Sequence, residues 1–178
     1  YDGLADTDVA EVDGIRRNPS RARAVLRSYA RGISTLTDFK TIIRDLENVG
    51  EGVDDKTLSS YINAYEKLFI IEDVAAWTPK LRSASVIRTK PRRQFTDPSI
   101  AVAAIGASAK DLAQDMETFG FFCESLVTRD LRIYLEIMDG TVCHYRDNTG
   151  LEVDCILELD DGRWAAAEVK VGANRIDE

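Results

Sequence analysis

The stretch GLEVDCILELDDGRWAAAEVKVG, residues 150–172, narrows the possible folds more than any other part of the chain. It reads as two short strands joined by Asp160-Asp161-Gly162. A three-residue hairpin loop is usually a type I turn followed by a left-handed residue, where glycine is least strained, and Gly162 stands at that third position. The turn sets the register. Leu159 faces Arg163, Asp154 faces Glu168 and Glu152 faces Lys170, while alternation sends Val153, Cys155, Leu157, Ala167, Val169 and Val171 to the other face. Acids directly opposed on adjacent strands repel. Asp154 and Glu168 therefore need a compensating cation, a raised pKa or a wet, exposed face.

With 178 residues and 44% hydrophobic side chains, the chain is expected to form one large or two small domains with a true core. It contains no apolar run of the roughly eighteen residues a membrane helix needs, and its acidic, polar start lacks the pattern of a signal peptide, so the expected location is the cytosol. Cys123, Cys143 and Cys155 are odd in number, unclustered and set among apolar neighbours, which points to reduced packing residues. The start at Tyr1 and the stop soon after a strand suggest a piece of a longer protein.

The net charge of −8 is unevenly divided. Residues 1–96 hold 16 of the 23 lysines and arginines but only 14 of the 31 acids, leaving the second half strongly negative. The basic residues of the first half bunch in RRNPSRARAVLRSYAR (16–31) and in KLRSASVIRTKPRR (80–93). Local basic surface is thus expected despite the acidic total.

Residues 1–14 read as a polar lead-in. Asn18 and Pro19 then mark a helix start, and Ala22, Val25, Leu26, Tyr29 and Ala30 recur at helical spacing as far as Gly32. A second helix carries Phe39, Ile42, Ile43 and Leu46. A third starts at Asp54 or Asp55 and carries Leu58, Tyr61, Ile62, Tyr65, Leu68 and Phe69. Strand-like FIIEDVAAW, ASVIRTK and RRQFTD follow. This order is that of a winged helix-turn-helix spanning residues 1–96 with the lead-in, in which Arg82, Arg88, Lys90, Arg92 and Arg93 form a wing facing nucleic-acid phosphates. The competing reading is a protein-contact module, because the exposed side of the third helix is not strongly basic.

Residues 97–178 form the second expected domain. SIAVAAIG is a short apolar segment, and the run from Ser108 to Met138 holds two helical stretches separated near Gly120. The later one carries Phe122, Leu126, Leu131 and Leu135 at core spacing with Glu124 among them, and TVCHYR opens the strands. His144 is the only histidine and reads as structural, which leaves a histidine dyad or zinc cluster without support. Trp77 and Trp164 read as packing residues. No GxxxxGK[ST] phosphate loop is present.

An acid from a helix, an aspartate on a strand, a tight turn and a strand reading Glu-x-Lys make up the PD-(D/E)XK nuclease constellation, here Glu124, Asp154, Glu168 and Lys170. Magnesium or manganese prefers hard oxygen ligands and keeps part of its water shell, so Asp154 and Glu168 could hold such an ion without filling it. That ion would resolve the charge conflict of the hairpin. Lys170 would position or help deprotonate a water and offset transition-state charge, and Glu124 would be a further ligand or hold a metal-bound water. The alternative is a Glu152–Lys170 cross-strand pair with Asp154 and Glu168 pointing into solvent.

The stretches NPSRARAVLRSYAR, KTLSSYINAYEKLFIIEDVAAW, PRRQFTDPSI, GFFCESLV and HYRDNTGLEVDCILELDDGRWAAAEVK resemble the domain of unknown function that follows an AAA-type ATPase module in many bacterial and archaeal proteins. The resemblance covers nearly all of residues 18–172. It implies an α+β or α/β chain, a winged helix-turn-helix followed by a restriction-endonuclease-like core that stops before its usual last helix and strand. It also implies an upstream ATPase partner that holds the ATP. Two functions follow as expectations: a metal-dependent nuclease-like domain acting on DNA or RNA, or a noncatalytic regulatory or interaction module of the ATPase.

Overall fold

The computed structural model describes residues 12–78 and 90–172, together with Gly3 and Val9. Arg82 and Arg88, with most of the expected wing, lie outside the described residues. Helices α1 (Pro19–Arg31), α2 (Phe39–Asn48) and α3 (Asp55–Lys67) are followed by α4 (Pro98–Ile105), α5 (Ala109–Gln114) and α6 (Met116–Glu136), then by strands β1 (Gly140–Arg146), β2 (Glu152–Leu159) and β3 (Trp164–Ala167). The strands form one antiparallel sheet in the order β1-β2-β3. The architecture is α+β. No helix among the described residues is long and apolar enough to cross a membrane.

Local chemistry sets the helix ends. The side chains of Asn18, Asp38 and Asp54 each accept a backbone N–H three residues on, relieving donors that a helix start leaves unpaired. The first core gathers Val25, Leu26 and Tyr29 of α1, Ile42 and Leu46 of α2, and Leu58, Ile62 and Tyr65 of α3. It does not stop at the expected boundary after residue 96. Ala101 and Ala104 of α4 and Phe122 of α6 belong to the same cluster, because the apolar Pro98–Ile105 helix packs on α1. A smaller cluster of Leu135, Val142 and Cys155 lies between α6 and the sheet.

The break expected near Gly120 falls instead at Asp115, whose carboxylate caps α6 by accepting from the Thr118 amide at 3.0 Å. Gly120 lies inside the helix, where a Cβ would meet nothing within 4 Å.

Between the helices and the sheet runs an irregular antiparallel ribbon, with Ile71 bridging Phe95 and Val74 bridging Arg92. FIIEDVAAW thus pairs directly with RRQFTD. The ribbon continues onto the sheet: Ala76 bridges His144 in parallel, the Trp77 amide donates to the His144 carbonyl at 2.7 Å and the His144 amide to the Ala75 carbonyl at 2.9 Å. Trp77 lies tilted against Trp164 at 5.1 Å and meets Tyr145 edge-on at 6.2 Å, so Trp77 packs as expected, whereas Trp164 stays 57% exposed. The chain positions that follow α3 therefore serve both halves.

Arg93 belongs to this joint. Its guanidinium lies 5.5 Å from the Tyr29 ring centre and 5.0 Å from that of Phe39, pairs with Asp73 and donates through Nε to the Thr37 carbonyl at 2.9 Å. The Tyr29 hydroxyl donates to the same Asp73, while its ring meets Phe95 edge-on at 5.7 Å. Arg93 is buried, so a phosphate-facing role does not describe it. Tyr29→Phe keeps the ring and deletes one donor to a partly buried carboxylate; urea unfolding should show a loss of about 1.5–3 kcal/mol. Gly120→Ala should raise stability by about 0.5–1 kcal/mol in the same assay, since the helix interior has room for the methyl group and glycine is a poor helix former.

Candidate functional site

The hairpin forms as its sequence demands. Gly162 has φ of 85°, its amide donates to the Leu159 carbonyl at 2.9 Å, and the Leu159 amide donates to the Arg163 carbonyl at 2.9 Å. The pairs Glu158–Trp164 through Cys155–Ala167 continue the expected register. The ladder then stops at Ala167, so Glu168 and Lys170 follow the strand rather than lie on it. Asp154 takes over where the ladder ends: its Oδ2 accepts the Val169 amide at 3.0 Å and holds the Glu-x-Lys segment against β2.

One irregularity was not expected from alternation. On the β1 side, Cys143 pairs with Ile156 but Tyr145 pairs with Val153, so Asp154 and Cys155 together oppose the single residue His144. Such a bulge re-aims side chains and breaks the two-residue period. Cys155 and Ile156 are accordingly both buried although they are neighbours. His144 is fully buried opposite the bulge, with Nε2 at 3.1 Å from the Lys90 carbonyl. Burial and the Arg92 charge push the imidazole down to about 4, so it is neutral near pH 7 and donates from Nε2. The three cysteines are free thiols; Cys143 and Cys155 are buried.

Asp154, Glu124 of α6 and Lys170 line one cavity of about 420 Å³, with Gly120 one helical turn before Glu124 on its wall. The missing side chain at Gly120 leaves the approach to Glu124 open. Glu168 does not line this cavity; its Oε2 accepts from Lys170 Nζ at 2.8 Å, and both side chains are nearly half exposed. Its charge is still felt at Glu124.

Asp154 and Glu168 find separate cations: Lys170 takes Glu168, and Arg92 takes Asp154 together with Glu124. Arg92 Nη1 donates to Glu124 Oε1 at 2.6 Å and to Asp154 Oδ1 at 3.3 Å, and its Nη2 lies 3.7 Å from Glu152 Oε2. Arg92 is only 4% exposed. It was expected to face phosphate from a wing; the bridge to Val74 instead turns it into the acid site. Of the remaining expected wing residues, Lys90 is half exposed and paired with Asp38 at 2.9 Å. The expected alternative pair does not form either, because Glu152 bonds Arg146 as well as approaching Arg92, while Lys170 takes Glu168. No signal in the sequence marked Arg92 apart from its neighbours, since its role comes from the ribbon's register.

Burial pushes the Glu124 carboxyl up to about 7 against the opposing pull of Arg92, with Asp154 and Glu168 adding like charge. Lys170 is raised, chiefly by its hydrogen bond to Glu168, and so stays an ammonium. Among the described residues no three His, Cys, Asp or Glu side chains gather into a metal-holding group. The two carboxylates on the cavity nevertheless suit a hard divalent ion, which is often held by one or two acids and several waters. In this structure both carboxylates are engaged by Arg92.

The Glu124 value carries a sign. Between the ordinary 4.5 and about 7 the folded chain holds a proton that the unfolded chain has released, so this group's contribution to stability falls as pH rises through that window. In Glu124→Gln the side chain cannot ionise. The slope of unfolding free energy against pH across this window should then become less negative by up to about 1.4 kcal/mol per pH unit, measured by urea titrations at several pH values.

Residues 1–111 match the family model described as Domain of unknown function (DUF8612). Residues 119–178, which hold the helix and hairpin of the acid site, match Domain of unknown function (DUF4143). No curated protein and no solved structure matches the chain. The match over residues 1–111 covers more than half of the sequence, and the chain belongs to the DUF8612 family.

Proposed function

We propose that this chain is the C-terminal region of an AAA-type ATP-binding protein, and that α6 with the three-stranded sheet is a nuclease-like unit acting on phosphodiester bonds of nucleic acid. The observation that carries the reading is the convergence of Glu124, Asp154 and Lys170 on one cavity, from a helix, a strand and the segment after the next strand. The match to DUF4143, which commonly accompanies AAA ATPases, supports the parent ATPase as partner. On this reading α1–α3 and the ribbon are a winged-helix-like unit. Phosphate docking by Arg92 and Arg93 is not part of the proposal, because both are buried.

The residues divide the work as their environments dictate. Asp154 holds the Glu-x-Lys segment in place through the Val169 amide, which keeps Lys170 at the cavity. Lys170 remains charged at neutral pH and serves as an electrostatic partner for a phosphate oxygen rather than as a base. Glu124, titrating near 7, can hold or release a proton at its carboxylate close to physiological pH. Glu124 and Asp154 would hold magnesium or manganese, with Glu168 outside the cavity on Lys170; an ion bound there would polarise a phosphodiester oxygen and lower the pKa of a water.

A second reading is favoured by Arg92. A guanidinium already balances Glu124 and Asp154, so the acids can serve as a joint in a noncatalytic regulatory module of the ATPase. Nicking of supercoiled plasmid and cleavage of single-stranded DNA and RNA at millimolar Mn²⁺ separate the two. The nuclease reading expects cleavage that falls about 100-fold or more in Lys170→Ala and in Asp154→Asn. Cleavage unchanged in both variants, or absent throughout, would reject it in favour of the joint.

A further inference from the structure

We infer that a second cavity, walled by the ribbon, α6 and β1, binds a small neutral molecule rich in hydroxyl groups, of the chemistry of a monosaccharide. The cavity holds about 480 Å³, within the range of roughly 300–1,000 Å³ usual for small-molecule sites. It shares no lining residue with the acid cavity and stands independently of the nuclease reading.

A set of orphaned polar atoms marks the site. Gln94 and Thr96 of the ribbon and Ser125 of α6 line the cavity, and each keeps a buried side-chain oxygen with no hydrogen-bond partner among the described residues. Gln94 and Ser125 are each only 1% exposed. A buried polar group left without a partner costs stability, so three on one cavity point to a shared ligand. Neighbouring bonds hold two of them in this condition. The Ser34 hydroxyl donates to the Phe121 carbonyl at 2.9 Å and therefore accepts from Gln94 Nε2 at 3.0 Å. That chain assigns the amide: its nitrogen is committed to Ser34, and Oε1 is left as a pure acceptor. The Phe121 carbonyl also lies four residues before Ser125, where a helical serine hydroxyl would bond back, and it already serves Ser34.

The charges around the cavity narrow the ligand. Arg132 is paired with Glu72, Arg129 with Asp130 at 2.8 Å, and Asp73 with Arg93. No lining cation is left over for a phosphate, and Glu136, exposed on the cavity wall, adds negative charge. A cationic ligand fares no better at the inner end, where Asp73 already takes Tyr29, Arg93 and the Gln94 amide and an unpaired charge would be withdrawn from water. Adenine is also disfavoured, since its pairing with glutamine uses both amide atoms and Nε2 is occupied. An alcohol hydroxyl fits all three oxygens, because it donates to Gln94 Oε1 and both donates to and accepts from the Ser125 and Thr96 hydroxyls. Phe95, Ile133 and Val142 give the same cavity apolar wall for the C–H face of a sugar ring.

NMR titration of the ¹⁵N-labelled chain with D-ribose, D-glucose and myo-inositol, each alone, tests the site, with inorganic phosphate and putrescine as charged controls. At least one neutral probe should shift the Gln94, Thr96 and Ser125 amides saturably, and neither charged control should. Ser125→Ala and Thr96→Val each delete one orphaned hydroxyl with little change of shape. Each should weaken the neutral probe about tenfold, while Tm without ligand stays level or rises. That pairing of weaker binding with undiminished stability is what a merely structural hydroxyl would not give. Absence of binding by all three neutral probes overturns the inference, as does parental affinity in both variants, which moves the ligand elsewhere. Binding of phosphate or putrescine in their place overturns the neutral class. A lower Tm in both unliganded variants overturns the premise that these hydroxyls are unsatisfied.

Discussion

The ion pairs between Arg92 and the carboxylates of Glu124 and Asp154 are the constraint on which the rest of the site depends. Each acid alone would be a poor tenant of its position. Glu124 is largely withdrawn from water beside the like charges of Asp154 and Glu168, and Asp154 sits on a bulge beside a buried histidine. A charge taken out of water is expensive unless it is paired and hydrogen-bonded, and removing one member of a buried set costs more than the set itself contributes. The arginine makes the cluster tolerable. It does so imperfectly, which is why burial still lifts Glu124 well above an ordinary glutamate.

The hairpin was legible from the sequence because its determinants are local. Gly162 at the left-handed position and a two-residue period fix which residues face one another, and the ladder follows that register as far as Ala167. The helix starts were legible for the same reason, since Asn18, Asp38 and Asp54 cap through contacts three residues away. The bulge at Asp154 and Cys155 was not. It depends on the partner strand β1 and on the ribbon edge beyond it, which a pattern along one strand does not record.

Basic runs mislead for a related reason. Lys90, Arg92 and Arg93 stand within four residues and look alike in the sequence, yet the ribbon sends them to three destinations: Asp38 at the surface, the Glu124–Asp154 pair, and the Asp73–Tyr29 joint. Alternation along an extended segment separates neighbours onto opposite faces, so adjacent arginines serve different cores. A count of charge predicts a potential, and only the pairing of Val74 with Arg92 decides where each charge goes.

This gives the unequal charge of the two halves a structural meaning. The second half carries a large excess of acid, and its own Lys170 and Arg146 are engaged by Glu168 and Glu152. The cation that balances the innermost acids comes from the ribbon, before α4, and so from the part of the chain matched to DUF8612. The segment matched to DUF4143 supplies Glu124 and Asp154 but not Arg92. The acid site is thus electrostatically complete only when both segments are present. Any role the acids have is conditional on how the helical half presents one guanidinium.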